Sequence, residues 1–190
     1  MKYFVFLPML FCAVMLNGCS SYDGQPLAQM TFDHVKPFPV YVASYEPVNL
    51  YAGVKQKRPV GFVSNPSELI FDYLGSRYEA AGNQGKLKIE IADVLINHAV
   101  VESDNSVGSL IGLGKRDHYH VKAHINITGL GIDHTEIRKQ NLIVSRNIYI
   151  SEHVSLVERE QLEMQALDSM IDDLDIALRR VLKDQFNIMR

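Results

Sequence analysis

The sequence predicts an α+β fold in which one mainly antiparallel four-stranded sheet carries two helices on one face. Stretches 86–101, 119–127 and 140–150 alternate apolar and polar residues with the period of two that is typical of half-buried strands. Two further stretches repeat apolar residues at helical spacing behind capping signals. With a first strand at 38–45, the predicted order is β-α-β-β-β-α. Packing both helices on one face of the sheet would bury both apolar stripes.

The first predicted helix has a start and an end signal. Asn65 can cap it, Pro66 suits the first helical position, and Glu68 completes a capping box. Gly82 follows the last apolar position and is expected at the C′ position. Arg77 is expected to face water. Because this helix connects two strands, we expect it to be a crossover.

The strand at 86–101 changes phase along its length. Its first apolar residues occupy odd positions and its later ones occupy even positions, from Ala92 onwards. A shift of one residue predicts a β-bulge near Ala92–Asp93. The stretch 102–115 is rich in glycine and is expected to form a long hairpin loop.

The last predicted helix begins with a second capping box, formed by Ser155 and Glu158, and runs to about Phe186. Its apolar stripe consists of Leu167, Met170, Ile171, Leu174, Leu178, Val181, Leu182 and Phe186. The opposite face is expected to be solvated and consists of Asp168, Asp172, Asp173, Asp175, Arg179, Arg180 and Lys183. Acids precede bases along this face, which complements the helix dipole.

The N-terminus has the pattern of a cleaved targeting signal. Lys2 is followed by an apolar run at 3–16, which as a helix would span about 21 Å at about 1.5 Å per residue, against about 30 Å for a hydrocarbon core. That length suits a signal peptide rather than a membrane span. The run ends in Leu16-Asn17-Gly18-Cys19, which resembles a bacterial lipobox, with an unusual Asn17.

The lipobox resemblance implies that residues 1–18 are removed and that Cys19 becomes an acylated first residue. More than one acyl chain holds a protein firmly to a membrane, because each buried CH₂ contributes about 0.8 kcal/mol. Ser20 follows the cysteine where aspartate would imply inner-membrane retention. We therefore expect anchoring to the periplasmic face of the outer membrane, with a tether at 19–37 and a single periplasmic domain at 38–190.

Composition excludes several classes of function. The chain has 19 Lys and Arg against 22 Asp and Glu. Removing residues 1–18 removes only Lys2, which leaves 18 against 22 and a net charge of −4. That balance argues against a nucleic-acid partner. Cys12 leaves with the signal and Cys19 is lipidated, so the mature domain has no thiol for catalysis or for zinc.

The candidate catalytic and metal-binding residues are weak. His118, His120 and His124 are predicted to share one strand face, but alternate side chains lie nearly 7 Å apart, so the outer two are too distant to share one metal. The glycine-rich segment 105–114 lacks the spacing of a phosphate-binding loop. Its apolar residues are expected to dock on the core or to contact lipid or a partner. We predict no catalytic residue, no cofactor and no metal site.

The mature chain resembles uncharacterised lipoproteins of Gram-negative bacteria. The shared pattern includes the Pro-capped helix ending at Gly82, the strand 87–94, His118-Tyr119-His120-Val121-Lys122-Ala123, Glu158-Arg159-Glu160 and the terminal helix at 170–175. The layout is also similar to auxiliary lipoproteins of envelope ABC-transport and lipopolysaccharide-assembly systems. The resemblance implies no functional residue besides Cys19.

Three functions are consistent with these patterns. The first is a non-enzymatic accessory or assembly module that binds an envelope protein through a sheet face or edge. The second is a periplasmic carrier whose sheet and helices enclose a lipid or lipoprotein tail, which a large apolar pocket would favour. The third is a metal-assisted hydrolase that uses the histidines.

Replacing Cys19 tests the lipobox. Cys19→Ala should abolish signal processing and membrane retention, because no other residue can accept the diacylglyceryl group. Fractionation of cells, with mass measurement of the mature N-terminus, checks this. An acylated variant in the outer-membrane fraction would contradict the lipobox assignment.

Overall fold

A computed structural model describes residues 30–52, 59, 61–102, 114–133 and 135–189. The signal at 1–18, Cys19, the tether up to residue 29 and the loop residues 105–113 lie outside the described residues. The elements in chain order are β1 (Phe38–Val40), β2 (Ser44–Asn49), α1 (Pro66–Arg77), β3 (Tyr78–Ala80), β4 (Lys86–Glu102), β5 (Lys115–Leu130), β6 (Glu136–Ser151) and α2 (Leu156–Asp184).

The main sheet has four strands in the order β2-β4-β5-β6. β4, β5 and β6 form an antiparallel meander, whereas β2 pairs with β4 in parallel. A parallel pair needs a crossover connection, and α1 provides it. The predicted α+β class and the mainly antiparallel four-stranded sheet are therefore confirmed.

The predicted first strand at 38–45 is wrong as one element, because two strands occupy its place. β1 pairs in parallel with β3 in a separate two-stranded sheet, while β2 joins the main sheet. The bend between them lies at 41–43. Strand-forming residues continue through this bend, so the sequence pattern shows no boundary there.

The first helix ends earlier than predicted. α1 stops at Arg77, and the chain becomes extended as β3, so Gly82 is not its C′ residue. Gly82 is required for another reason, since a Cβ there would lie 2.5 Å from the carbonyl carbon of Tyr41. Pro66 does occupy the first turn, but the Asn65 side chain makes no capping hydrogen bond and instead accepts one from Ser67 Oγ at 3.0 Å.

The predicted β-bulge in β4 is confirmed by a register shift between Ile91 and Asp93. Before the shift, odd-numbered residues of β4 are buried, and after it Val94 takes the inward position. The bulge therefore keeps apolar side chains on the helix side of the sheet along most of the strand. β5 needs no such correction, and its inward residues are Tyr119, Val121, Ala123, Ile125 and Ile127.

α2 is the long helix that the capping box predicted, and the Ser155 side chain accepts a hydrogen bond from Glu158 N at 3.2 Å. The predicted stripe is buried or partly buried along its whole length. It joins α1 and the inward sheet residues in one hydrophobic cluster. Neither described helix is long and apolar enough to cross a membrane.

An ion-pair network joins the two helices and corrects two predictions about solvation. Asp175 is buried, not solvated, and it pairs through both oxygens with Arg77 at 3.0 Å. Arg77, which we expected to face water, also donates to the carbonyl of Lys36 at 2.8 Å. Arg179 and the Tyr78 hydroxyl also contact the carboxylate, at 2.9 and 3.1 Å.

Residues 30–37 of the predicted tether pack on the fold. Phe32 is buried and its ring lies 5.2 Å from that of Tyr73 on α1. Together with the Arg77 hydrogen bond to Lys36, this contact places the start of the packed chain before the predicted boundary at residue 38.

Leu174→Ala should lower the melting temperature sharply. Leu174 is fully buried in the centre of the α2 stripe, and truncating such a leucine costs about 2–5 kcal/mol of unfolding free energy. Ile176→Ala, on the exposed face of the same helix, is the control and should change it little. Thermal unfolding followed by circular dichroism measures both. Equal melting temperatures for the two variants would contradict the packed-helix architecture.

Candidate functional site

The face of the main sheet that points away from the helices is called the open face here. β5 contributes its even-numbered residues from His118 to Thr128, and β4 and β6 contribute the residues opposite them. The predicted shared face of the three histidines is thus confirmed by the alternation of β5. Most of the surrounding side chains are polar, and they include lysine, asparagine and serine.

Two of the histidines are held by one amide. His118 Nε2 and His120 Nδ1 lie 3.0 and 2.9 Å from Asn147 Oδ1 on β6. The same amide oxygen therefore contacts both rings. The His118 ring also stacks on Tyr149, with centroids 4.5 Å apart. These contacts order the open face.

The spacing of the three histidines along β5 leaves them poorly placed for a shared metal. His124 lies four residues beyond His120, or about 13 Å along the strand. Among the described residues, no group of three or more His, Cys, Asp or Glu side chains could hold a metal ion.

Three large side chains on the open face are exposed among these polar groups. Ile143 is 55% exposed and Tyr149 is 53% exposed, both on β6, and Leu95 projects from β4 on the other side of β5. Ile143 lies opposite His124, and Tyr149 lies opposite His118. Apolar anchors set in a polar surround are typical of protein interaction surfaces.

A polar cluster lies on the helix side, towards the β4–β5 loop. Asp117 links His98 Nε2 and Arg159, each at 2.8 Å. Arg159 also donates to the Tyr119 hydroxyl at 3.1 Å, and the His98 ring stacks on that of Tyr119. Burial acts to raise the pKa of Asp117, but the hydrogen bonds from His98 and Arg159 outweigh it and lower the pKa.

Glu163 is a fully buried carboxyl on α2 near this cluster. Its Oε2 accepts from Val63 N at 3.0 Å and Ser64 N at 3.4 Å, which attaches the 61–64 segment to the helix. Its Oε1 has no hydrogen-bond partner among the described residues. Burial raises the pKa of Glu163, and the backbone donors and the Arg159 charge only partly offset this.

Sequence reasoning did not identify His98, Asp117 or Glu163. Their partners lie 19, 42 and about 100 residues away along the chain, so no local spacing connects them. The available signal was an acid inside the predicted apolar stripe: Glu163 lies four residues before Leu167 on the same side of the helix.

A groove of about 750 Å³ lies at the opposite end of the sheet and is called the end groove here. It opens between the β5–β6 turn and the segment that follows α2. Its apolar lining consists of Tyr41, Val42, Leu130, Ile132, Ile137, Phe186 and Ile188. Its polar and glycine lining consists of Gln84, Gly85, Lys86, Gly129, Gly131, Asp133, Arg138 and Asn187.

The chain reversal after α2 builds one wall of the end groove. Asn187 has a φ of 54°, in the left-handed region, which turns the chain back towards the sheet. Ile188 then accepts a hydrogen bond from Tyr41 N at 2.8 Å. Phe186 lies against Gly129, where a Cβ would meet its ring at 3.1 Å. The glycine lets the ring approach the sheet.

No protein-family model matches the chain, and no curated protein matches its sequence. Similar solved structures include a minor lipoprotein from Acinetobacter baumannii, at 10% identity and a TM-score of 0.42 over 77% of this chain and 96% of that one. A proposed neuraminyllactose-binding hemagglutinin homolog from Helicobacter pylori has 12% identity and a TM-score of 0.38 over 74% and 87%. A proposed lipoprotein from Caulobacter crescentus CB15 has 11% identity and a TM-score of 0.34 over 65% and 87%.

Glu163→Gln should stabilise the protein increasingly as pH rises from 4.5 to 8. The pKa of Glu163 is higher in the folded protein than in the unfolded chain, so the protonated side chain stabilises the fold. This stabilisation is complete below the unfolded pKa of about 4.3 and is lost as pH rises through the folded pKa. Glutamine keeps an acceptor for Val63 N and does not ionise. Thermal unfolding across this pH range measures the difference in melting temperature.

Glu152→Gln is the matched control, because Glu152 lies exposed in the turn before α2. Its melting temperature should stay close to that of the wild type. A flat profile with pH for Glu163→Gln would show that Glu163 is not the buried, charge-disfavouring carboxyl described above.

Proposed function

We propose that this chain is a lipoprotein of the bacterial cell envelope, anchored through acylated Cys19, that acts as a non-enzymatic accessory module. Its open face binds another envelope protein. Ser20 supports anchoring to the periplasmic face of the outer membrane. The observation that carries the docking role is the exposure of Leu95, Ile143 and Tyr149 on an ordered, polar sheet face.

The order of the open face supports binding rather than simple solvation. Asn147 fixes two histidine rings, and one of these rings stacks on Tyr149. A side chain that is already ordered loses less entropy on association, so such a face is prepared for a partner. Ile143 and Tyr149 lie six residues apart, or about 20 Å along β6. This span suits two anchors of one interface.

The edge of the same strand adds a second means of contact. β6 is a 16-residue edge strand of the main sheet, paired on one side with β5. Natural sheets commonly protect long edges, because unpaired backbone groups accept another strand. A partner strand on β6 would lie beside Tyr149 and Ile143, so the edge and the open face can serve the same partner.

The polar cluster around Asp117 supports a structural role. Its carboxylate is shared between His98 and Arg159, and Arg159 also binds the Tyr119 hydroxyl. Each group is used to join β4, β5 and α2. A metal-assisted hydrolase would need His118, His120 and His124 to converge on one ion, but they are spread along one strand, so we favour the accessory role.

Photocrosslinking tests the docking surface. p-Benzoylphenylalanine in place of Tyr149 should give a discrete protein adduct in intact cells, because the ring projects from the open face. The same residue in place of Ile176, on the outer face of α2, should not give that adduct. Immunoblots of irradiated cells measure both. The same adduct from position 176 would contradict docking on the open face.

Ile143→Lys, combined with the reporter at position 149, should remove most of the adduct, because a buried lysine charge opposes association. Ile176→Lys is the matched control, since Ile176 is 52% exposed, close to the value for Ile143. It should leave the adduct unchanged. Loss of the adduct in both variants would indicate a general effect on the fold or on abundance.

A further inference from the structure

The end groove places exposed apolar side chains next to a free cation. Ile132 is 74% exposed and Ile137 is 71% exposed, although both lie on the wall of the groove. Phe186, in the segment after α2, adds an aromatic side chain to the lining. Exposed apolar groups that converge on one concavity are characteristic of a ligand site rather than of ordinary surface.

The end groove is lined by two cations, Lys86 and Arg138, and by one acid, Asp133. Lys86 is ion-paired with Glu46, and Asp133 accepts hydrogen bonds from Thr135 N and Oγ1 at 3.2 and 2.7 Å. The side chain of Arg138 is exposed and makes no ion pair with any described residue. The groove therefore offers one unused guanidinium beside an apolar wall.

We propose that the end groove binds one long-chain fatty acid. The hydrocarbon chain lies along Ile132, Ile137 and Phe186, and the carboxylate pairs with Arg138. A guanidinium fork matches a carboxylate in geometry and charge. A volume of about 750 Å³ lies within the range of about 300–1,000 Å³ for small-ligand sites.

This site differs from the predicted carrier arrangement. In that arrangement the sheet and helices enclose the lipid, but here the space between them holds the hydrophobic cluster. The end groove lies beyond the ends of β4, β5 and β6 and depends on residues 131–133 and on Asn187. The fatty acid would bind without opening the core, and it would leave the open face accessible to a protein partner.

The experiment uses the full-length chain in isolated membranes and a diazirine-labelled fatty acid as the probe. Crosslinks should map to peptides that contain Ile132, Ile137 or Phe186. Oleate should compete for labelling, and methyl oleate, which lacks the carboxylate, should compete about tenfold less well, as expected for one charge-assisted contact.

Matched variants separate the site from general lipid contact. Arg138→Gln should reduce labelling about tenfold, whereas Arg180→Gln, on the exposed face of α2, should not change it. Ile137→Asp should abolish labelling and Ile176→Asp should preserve it. The docking adduct from position 149 should persist in Arg138→Gln, so failure of this site and failure of the docking role are distinguishable.

Three results would overturn the proposal. Labelling spread over both helices would indicate contact with the bilayer only. Equal competition by oleate and methyl oleate would exclude the carboxylate contact with Arg138. Unchanged labelling in both Arg138→Gln and Ile137→Asp would exclude the groove itself.

Discussion

The ion pair between Arg77 and Asp175 is the constraint on which the arrangement of the helices depends. Arg77 ends α1 and Asp175 lies about two thirds of the way along α2, so the pair fixes the position of one helix against the other. Burial acts to raise the pKa of Asp175, but Arg77 and the neighbouring hydroxyls and charges lower it overall. Removing one partner of such a pair typically costs about 3–5 kcal/mol, because the other charge stays buried. The same guanidinium lies 4.5 Å from the Phe38 ring centroid and so also holds β1.

With the helices fixed on one side, the two faces of the main sheet take different roles. The helix side is filled by the hydrophobic cluster, and its polar groups join one element to another. The described helices pack on the other side of the sheet. Leu95, Ile143 and Tyr149 on the open face are therefore exposed and available for contact. The end groove is a third region, formed where strands and helix end rather than where they pack. The proposed protein partner and the proposed fatty acid therefore use separate surfaces.

The bulge in β4 shows why these roles stay separate. In a regular strand of this length, the inward-facing apolar residues would occupy every second position from end to end. In β4 they move from odd to even positions at Ala92. The extra residue restores the inward direction, so Val94 continues the buried row of Leu87, Ile89 and Ile91. Without the bulge, the second half of the strand would turn its apolar side chains onto the open face.

The sequence by itself determined the strand meander, the bulge, the cap at Ser155 and the buried stripe through Leu174, because periodicity and capping act between near neighbours. Only the tertiary structure decided the environments of Asp175, Arg77 and Glu163, whose partners are 98 to 100 residues distant. It also decided that α1 stops at Arg77, where pairing of β3 with β1 replaces the last helical turn. The end groove belongs to this second group, because its walls come from segments that meet only when the chain has folded.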